Sequence, residues 1–141
     1  RRRRRLGGRV TPDTVSEAVT EGVQVRVTSR YLPQRSSPEE GHWFFVYTVR
    51  ITNTGSVAVQ LLARHWVITD ARGHVENVRG PGVVGVTPVL KPGQAFEYTS
   101  FCPLTTSSGT MHGTYQMVSE DGGQFDAVVA PFLLSEEMEF S

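Results

Sequence analysis

Two prolines and a turn glycine stand directly behind the glycine-rich run of this chain, and they limit what that run can do. Arg79-Gly80-Pro81-Gly82-Val83-Val84-Gly85 satisfies the G-x-G-x-x-G spacing that seats a pyrophosphate at the mouth of a helix in dinucleotide-binding folds. That use requires a strand before the glycines, a helix after them and an acidic residue about 20 positions further on. A strand is predicted before the run, but the run leads into Val86-Thr87-Pro88-Val89-Leu90-Lys91-Pro92-Gly93. Proline lacks the N–H and clashes with the preceding turn, so Pro88, Pro92 and Gly93 leave no room for a helix. The spacing alone therefore does not make a nucleotide enzyme.

The remainder of the chain alternates with a period of two. Val23, Val25 and Val27 point one way and Gln24, Arg26 and Thr28 the other, which predicts a half-buried strand. The segment from Pro33 to Gly41 is a polar, turn-rich loop, and Trp43 to Thr52 is a strand of aromatic and β-branched residues. A hairpin is predicted from Trp66–Thr69 through Asp70-Ala71-Arg72-Gly73 to His74–Val78. Phe96 to Phe101 forms another strand, and a last hairpin pairs Thr110–Val118 with Gln124–Val129. Seven or eight short strands with turn signals about every 8 to 12 residues, and no helix, predict an all-β fold. The expected architecture is a fibronectin type III or immunoglobulin-like β-sandwich of two antiparallel sheets. The expected domain boundaries are a flexible Arg-rich arm over 1–18, the sandwich over 19–134 and an acidic tail over 135–141.

Charge is uneven along the chain. Of the 14 basic residues, six are Arg1 to Arg5 and Arg9, while residues 20–132 carry eight basic and nine acidic residues. The folded part is thus nearly neutral, unlike a nucleic-acid reader with a basic face. The arm alone is expected to add nonspecific contact with RNA or an anionic surface, since arginines neutralise phosphates. It lacks the apolar stretch of a secretory signal. It reads as a tail, with the remnant of an organelle-targeting segment as the alternative, so the expected location is cytoplasmic, or mitochondrial if that alternative holds. No apolar run approaches the ~20 residues of a transmembrane helix, and the single cysteine, Cys102, fits a reducing compartment.

A set of short motifs occurs in order along the chain. It comprises Arg30-Tyr31, Ser37-Pro38-Glu39, Tyr47 to Ile51, Val59 to Trp66, Ile68-Thr69-Asp70, Val75-Glu76 and the run Val78 to Gly85. Pro88-Val89-Leu90, Pro92-Gly93, Phe96 to Ser100, Ser108 to Gly113, Phe125-Asp126 and Pro131-Phe132 complete it. Over residues 19–134 the chain resembles the bacterial ApaG family, whose domain is also carried by an F-box ubiquitin-ligase subunit and by a DNA polymerase delta-interacting protein. The resemblance implies a fibronectin type III-like sandwich, a link to cobalt tolerance and magnesium efflux, and protein–protein interaction as the role of the domain. It also implies a pyrophosphate or nucleotide role for the glycine run.

The candidate site is Arg79, Gly80, Gly82 and Gly85 of the glycine run with Arg64, His65 and Trp66 at a strand entrance. Successive amides at left-handed glycines form an anion-binding nest without any helix, and Arg79 and Arg64 are the cations at hand. The competing use of the glycines is geometric: positive φ and a close chain crossing. Alternation places Arg64 and Trp66 on one face and His65 on the other, with Trp66 expected in the core. The exposed side of Trp43 to Tyr47 completes the surface.

His42, His65, His74 and His112 have no metal-ligand spacing, so no metal or cofactor is expected. No nucleophile motif is present, Ser107-Ser108 and Thr105-Thr106 read as turn residues, and Asp70 and Glu76 read as solvent-facing charges near a turn, so the chain is expected not to be an enzyme. The leading expectation is a non-catalytic module that docks a protein partner, with a homodimer as one form of partner. A pyrophosphate or nucleotide sensor, and below it a divalent-metal binder, are the alternatives.

Overall fold

The computed structural model describes residues 14–136. They form nine strands and two short 3₁₀ turns, Pro33–Arg35 and Pro38–Glu40. In chain order the strands are β1 (Val15–Thr20), β2 (Val23–Tyr31), β3 (Trp43–Asn53), β4 (Val59–Asp70), β5 (Val75–Pro81), β6 (Val89–Leu90), β7 (Ala95–Leu104), β8 (Ser108–Ser119) and β9 (Gln124–Ser135). One sheet runs β1-β2-β3-β7 and the other β9-β8-β4-β5, with β6 pairing the first residues of β4 beside β5. Every pairing is antiparallel. The expected two-sheet sandwich is therefore present, as are both expected hairpins, β4–β5 and β8–β9.

The strand that alternation does not reveal is β1. Residues 15–18, expected in the arm, pair in register with β2, the ladder running from Val15↔Thr28 to Thr20↔Val23. The signal is absent because the pattern is inverted: Ser16 is buried while Val15 and Val19 face solvent. Backbone pairing and the tight turn at Glu21-Gly22, where both residues have positive φ, hold this strand instead of an apolar face. At the other end β9 runs to Ser135, one residue beyond the expected boundary. The remaining arm and tail residues, 1–13 and 137–141, lie outside the described residues.

Between the sheets Phe45, Val49 and Ile51 of β3 and Leu61, Met111, Tyr115 and Phe132 of the other sheet are wholly or almost wholly buried. Trp66 sits centrally, edge-on to Tyr47 at 5.5 Å, Tyr115 at 6.0 Å and Phe132 at 6.0 Å between ring centroids. Its inward position depends on a bulge. Leu61 pairs with Met117 and Ala63 with Gln116, so Leu62 is an extra residue. The bulge shifts the alternation of β4 by one: Val59 and Leu61 face the core before it, Trp66 after it.

The two flanks of the sandwich differ. On one, the Ser29 hydroxyl donates to the Leu133 carbonyl at 2.7 Å and the Val128 amide donates to Thr20 Oγ1 at 3.1 Å, tying β1–β2 to β9. On the other, β5 and β7 are both edge strands, and among the described residues no hydrogen bond joins them. The functional candidates cluster on this open flank.

Strand β8 passes β4 so closely at Gly113 that an added Cβ would collide with the His65 carbonyl. Gly113→Ala is expected to cost about 3 kcal/mol, read from the urea midpoint, because backbone gives way less readily than a side chain. A loss within about 0.5 kcal/mol, the range of ordinary surface changes, would contradict this close approach.

Candidate functional site

The glycine run folds into a locked hairpin at the end of β5. The Gly82 amide donates to the carbonyl of the bulged residue Leu62 at 2.8 Å, so bulge and loop are joined. Val83 is fully buried and anchors the loop in the core. Val83 and Val86 then exchange both amide–carbonyl bonds at 2.9 Å around Val84 and Gly85, whose φ values are 42° and 83°. Positive φ at both central residues defines a type I′ turn. Gly85 suits it; Val84, a β-branched residue in the left-handed region, is strained there.

The three glycines have separate geometric roles. Gly82 has φ 59°, and a Cβ on it would collide with the Val86 carbonyl oxygen. Gly85 supplies the second left-handed residue of the turn. Gly80 admits the Arg64 guanidinium, whose Nη2 and Nη1 lie 2.9 and 3.0 Å from where a Cβ would stand. From there Arg64 Nη1 donates to the carbonyls of Pro81 and Gly82, each at 3.0 Å. Arg64 thus holds the base of the loop through charge-assisted hydrogen bonds.

The candidate residues divide between two faces of one sheet. Arg64 meets Gly80 and Gly82 on the inner side. His65 lies on the outer side, where its Nε2 is 2.8 Å from Asn77 Oδ1 and it stands opposite the exposed Arg79. The Arg64–Trp66 segment lies mid-strand in β4 rather than at a strand entrance, because β4 begins at Val59. Trp66, only 3% exposed, belongs to the core and leaves the candidate surface. Among the described residues no group of three or more His, Cys, Asp or Glu lies together.

Behind Arg64, the open flank holds a cleft of about 280 Å³ lined by Tyr47, Arg64, Trp66, Glu76, Phe101 and Cys102 among others. Burial, and after it the nearby Glu76 carboxylate, pushes the Cys102 thiol up to about 12. The Tyr98 and Tyr115 hydroxyls, 2.5 Å apart, are both raised by burial, Tyr115 further by its partner, while Arg64 pulls each slightly down.

Sequence reasoning missed the positive φ of Val84, the Leu62 bulge and the partners that Phe44, on the exposed side of Trp43 to Tyr47, finds on the outer face of the first sheet. Phe101, 50% exposed, packs on Phe44 at 5.4 Å between centroids. Arg35 stacks over both, 4.7 Å from the Phe44 centroid and 5.9 Å from that of Phe101. The adjacent leucines Leu61-Leu62 break the β4 alternation where the bulge falls.

An antiparallel sandwich with a glycine hairpin clamped by an inward arginine defines the class of protein, and comparison with known proteins supplies the family. Residues 33–119 match the ApaG domain. The chain is 56% identical over 112 residues to the ApaG protein of Acidovorax sp. (strain JS42), covering 79% of this chain and 82% of that protein. It is 54% identical over 120 residues to the ApaG protein of Anaeromyxobacter dehalogenans (strain 2CP-C), covering 85% and 94%. A crystal structure of the ApaA protein from Bordetella pertussis superposes with a TM-score of 0.79 at 49% identity, over 89% of this chain and 97% of that one. The chain belongs to the ApaG family. Among the described residues no helix is long and apolar enough to cross a membrane.

Two substitutions check this geometry. Arg64→Ala removes both loop clamps and is expected to cost about 2 kcal/mol and speed hydrogen exchange at Val83 and Val86. Arg79→Ala, on the exposed outer face, is expected to stay within about 0.5 kcal/mol; equal losses for the two would contradict the assigned roles. The buried phenols and thiol set the alkaline limit. Their folded pKa values lie above those of the unfolded chain, so their contribution is complete below about 9 and falls away as pH rises through about 12. The urea midpoint should be flat near neutrality and decline above that lower limit. In the folded protein Cys102 should resist alkylation at pH about 8, where an ordinary thiol reacts.

Proposed function

We propose that this chain is a non-catalytic docking module whose glycine hairpin inserts into a protein partner. One observation carries the reading: a strained valine, Val84, stands 58% exposed at the tip of a loop that is otherwise hydrogen-bonded and anchored. Strain of about 1–3 kcal/mol is retained where it has a use, and Asn or Gly would remove it here. Val86, which closes the turn, is also exposed, so the tip is apolar. An apolar projection with a fixed backbone suits a partner's pocket, because its ordering cost is met before binding.

Pyrophosphate or nucleotide binding finds less support in the same geometry. The amides of Gly82, Val83 and Val86 already donate within the protein, and Arg79 points from the other face of the sheet. In the docking reading, the cobalt and magnesium phenotypes implied by the resemblance act through the partner rather than through ions held by this chain.

Val84→Asn tests the proposal, since Asn-Gly is the favoured type I′ pair. It is expected to raise stability by about 1 kcal/mol by relieving strain and to weaken docking. With a photo-crosslinking amino acid at Val86 in living cells, a discrete adduct should form that a probe at Asp126 does not give. The adduct should be lost on Val84→Asn. Identical adducts from both probe positions, or an adduct indifferent to Val84→Asn, would sink the docking role of the loop.

A further inference from the structure

A second surface on the open flank, on the other sheet, is built for a different kind of contact. Strand β7 is an edge strand, and its pairing with β3 fixes which of its backbone groups are used. The Asn53 amide donates to the Gln94 carbonyl, and the Gly93 amide donates to the Asn53 carbonyl. In an antiparallel ladder hydrogen-bonded and non-hydrogen-bonded pairs alternate. The even-numbered residues Phe96, Tyr98, Ser100 and Cys102 therefore bond to β3. Glu97, Thr99 and Phe101 present both amide and carbonyl to the free edge, and Pro103, next along that edge, has no amide to offer.

The side chains beside this edge form an aromatic and basic patch. Arg30, Val46 and Phe101 lie in one row across β2, β3 and β7. Arg35 covers Phe44 and Phe101 from above. Two other arginines of the same face have carboxylate partners: Arg26 with Glu17 at 3.9 Å and Arg50 with Glu97 at 3.4 Å. Arg30 and Arg35 have none among the described residues, although Glu39 and Glu40 lie on the next turn. The inner side of the same edge opens on the cleft floored by Tyr47, Trp66 and Cys102.

We propose that the β7 edge takes an extended acidic peptide of a partner protein as an added strand. Its backbone pairs with Glu97, Thr99 and Phe101, in the manner of β-augmentation. Because side chains alternate, one apolar residue of the peptide lies on Phe101 beneath Arg35, and its two neighbours turn toward the cleft. The cleft holds Glu76, so the inward residues are uncharged. The carboxylates belong at the Phe101 end, over Arg30 and Arg35; at the other end Glu97 repels them. Charge and the proline stop thus set both the register and the direction of the bound strand.

The test uses the full chain and a displayed library of random ten-residue peptides, with the selected sequences then synthesised. Selected peptides should carry an aromatic or aliphatic residue with Asp or Glu at alternating spacing. Arg35→Ala and Phe101→Ala should each weaken binding at least about tenfold, as hot-spot arginines and aromatics do, with Val84→Asn leaving it unchanged. N-methylation of the peptide should abolish binding at alternate amides and be tolerated at those between. Both substituted side chains are exposed, and Arg35→Gln serves as a second variant if either disturbs the fold. Failure to select any peptide, binders without carboxylates, uniform tolerance of N-methyl groups, or binding lost to Val84→Asn but not to Arg35→Ala would each overturn the proposal. The last result would leave the loop as the docking site and remove the edge.

Discussion

The architecture depends on the burial of Trp66 and on the bulge that permits it. A one-residue shift in a strand sends every following side chain to the opposite face. Were Leu62 to take a place in the ladder instead of bulging out of it, the phase of Val59 and Leu61 would carry through β4 and turn Trp66 outward, away from Tyr47, Tyr115 and Phe132. The same shift turns Arg64 inward, where it reaches the Pro81 and Gly82 carbonyls, and it offers the Leu62 carbonyl to the Gly82 amide. Core, bulge, arginine clamp and glycine hairpin are thus one mechanical unit. The glycine spacing serves close packing and left-handed backbone within that unit.

The proposed functions rest on the asymmetry of the two flanks. The β1/β9 flank is closed by side-chain hydrogen bonds, whereas the β5/β7 flank ends in two unpaired edges. Exposed edges invite association unless they are blunted. Here each edge is only partly blunted: Arg79 and Pro81 occupy β5, and Glu97 and Pro103 occupy β7. Between those guards stand an apolar loop tip on one sheet and an arginine-capped aromatic pair on the other. In the proposed reading these surfaces meet other proteins by shape and backbone pairing.

Much of the fold was legible because most strands bury one face. Val23-x-Val25-x-Val27, the hairpin turn at Asp70–Gly73 and the glycine turn before Gln124 gave strand positions and connections directly. Strand β1 was not legible, since its apolar residues face solvent and its buried residue is a serine. The candidate site was read in part. Arg64, Gly80 and Gly82 do come together, and alternation alone set His65 on the face opposite Arg64, but the placement of Arg79 across from His65 depends on cross-strand register, which alternation within one strand does not specify. The strain at Val84 had no signal at all, because left-handed backbone at a valine runs against its propensity. The stacking of Arg35 on Phe44 and Phe101 joins three segments and emerges only once the sheet is assembled.

The central claim is that the glycine run is a locked hairpin whose inner amides are already engaged. An amide-resolved NMR titration of the full chain with pyrophosphate, with and without magnesium, addresses it most directly. Slow hydrogen exchange is predicted at Gly82, Val83 and Val86 before ligand is added, with no saturable shift at Gly80, Gly82, Gly85 or Arg79 up to millimolar pyrophosphate. Saturable shifts confined to those residues would contradict the claim and make the loop an anion site.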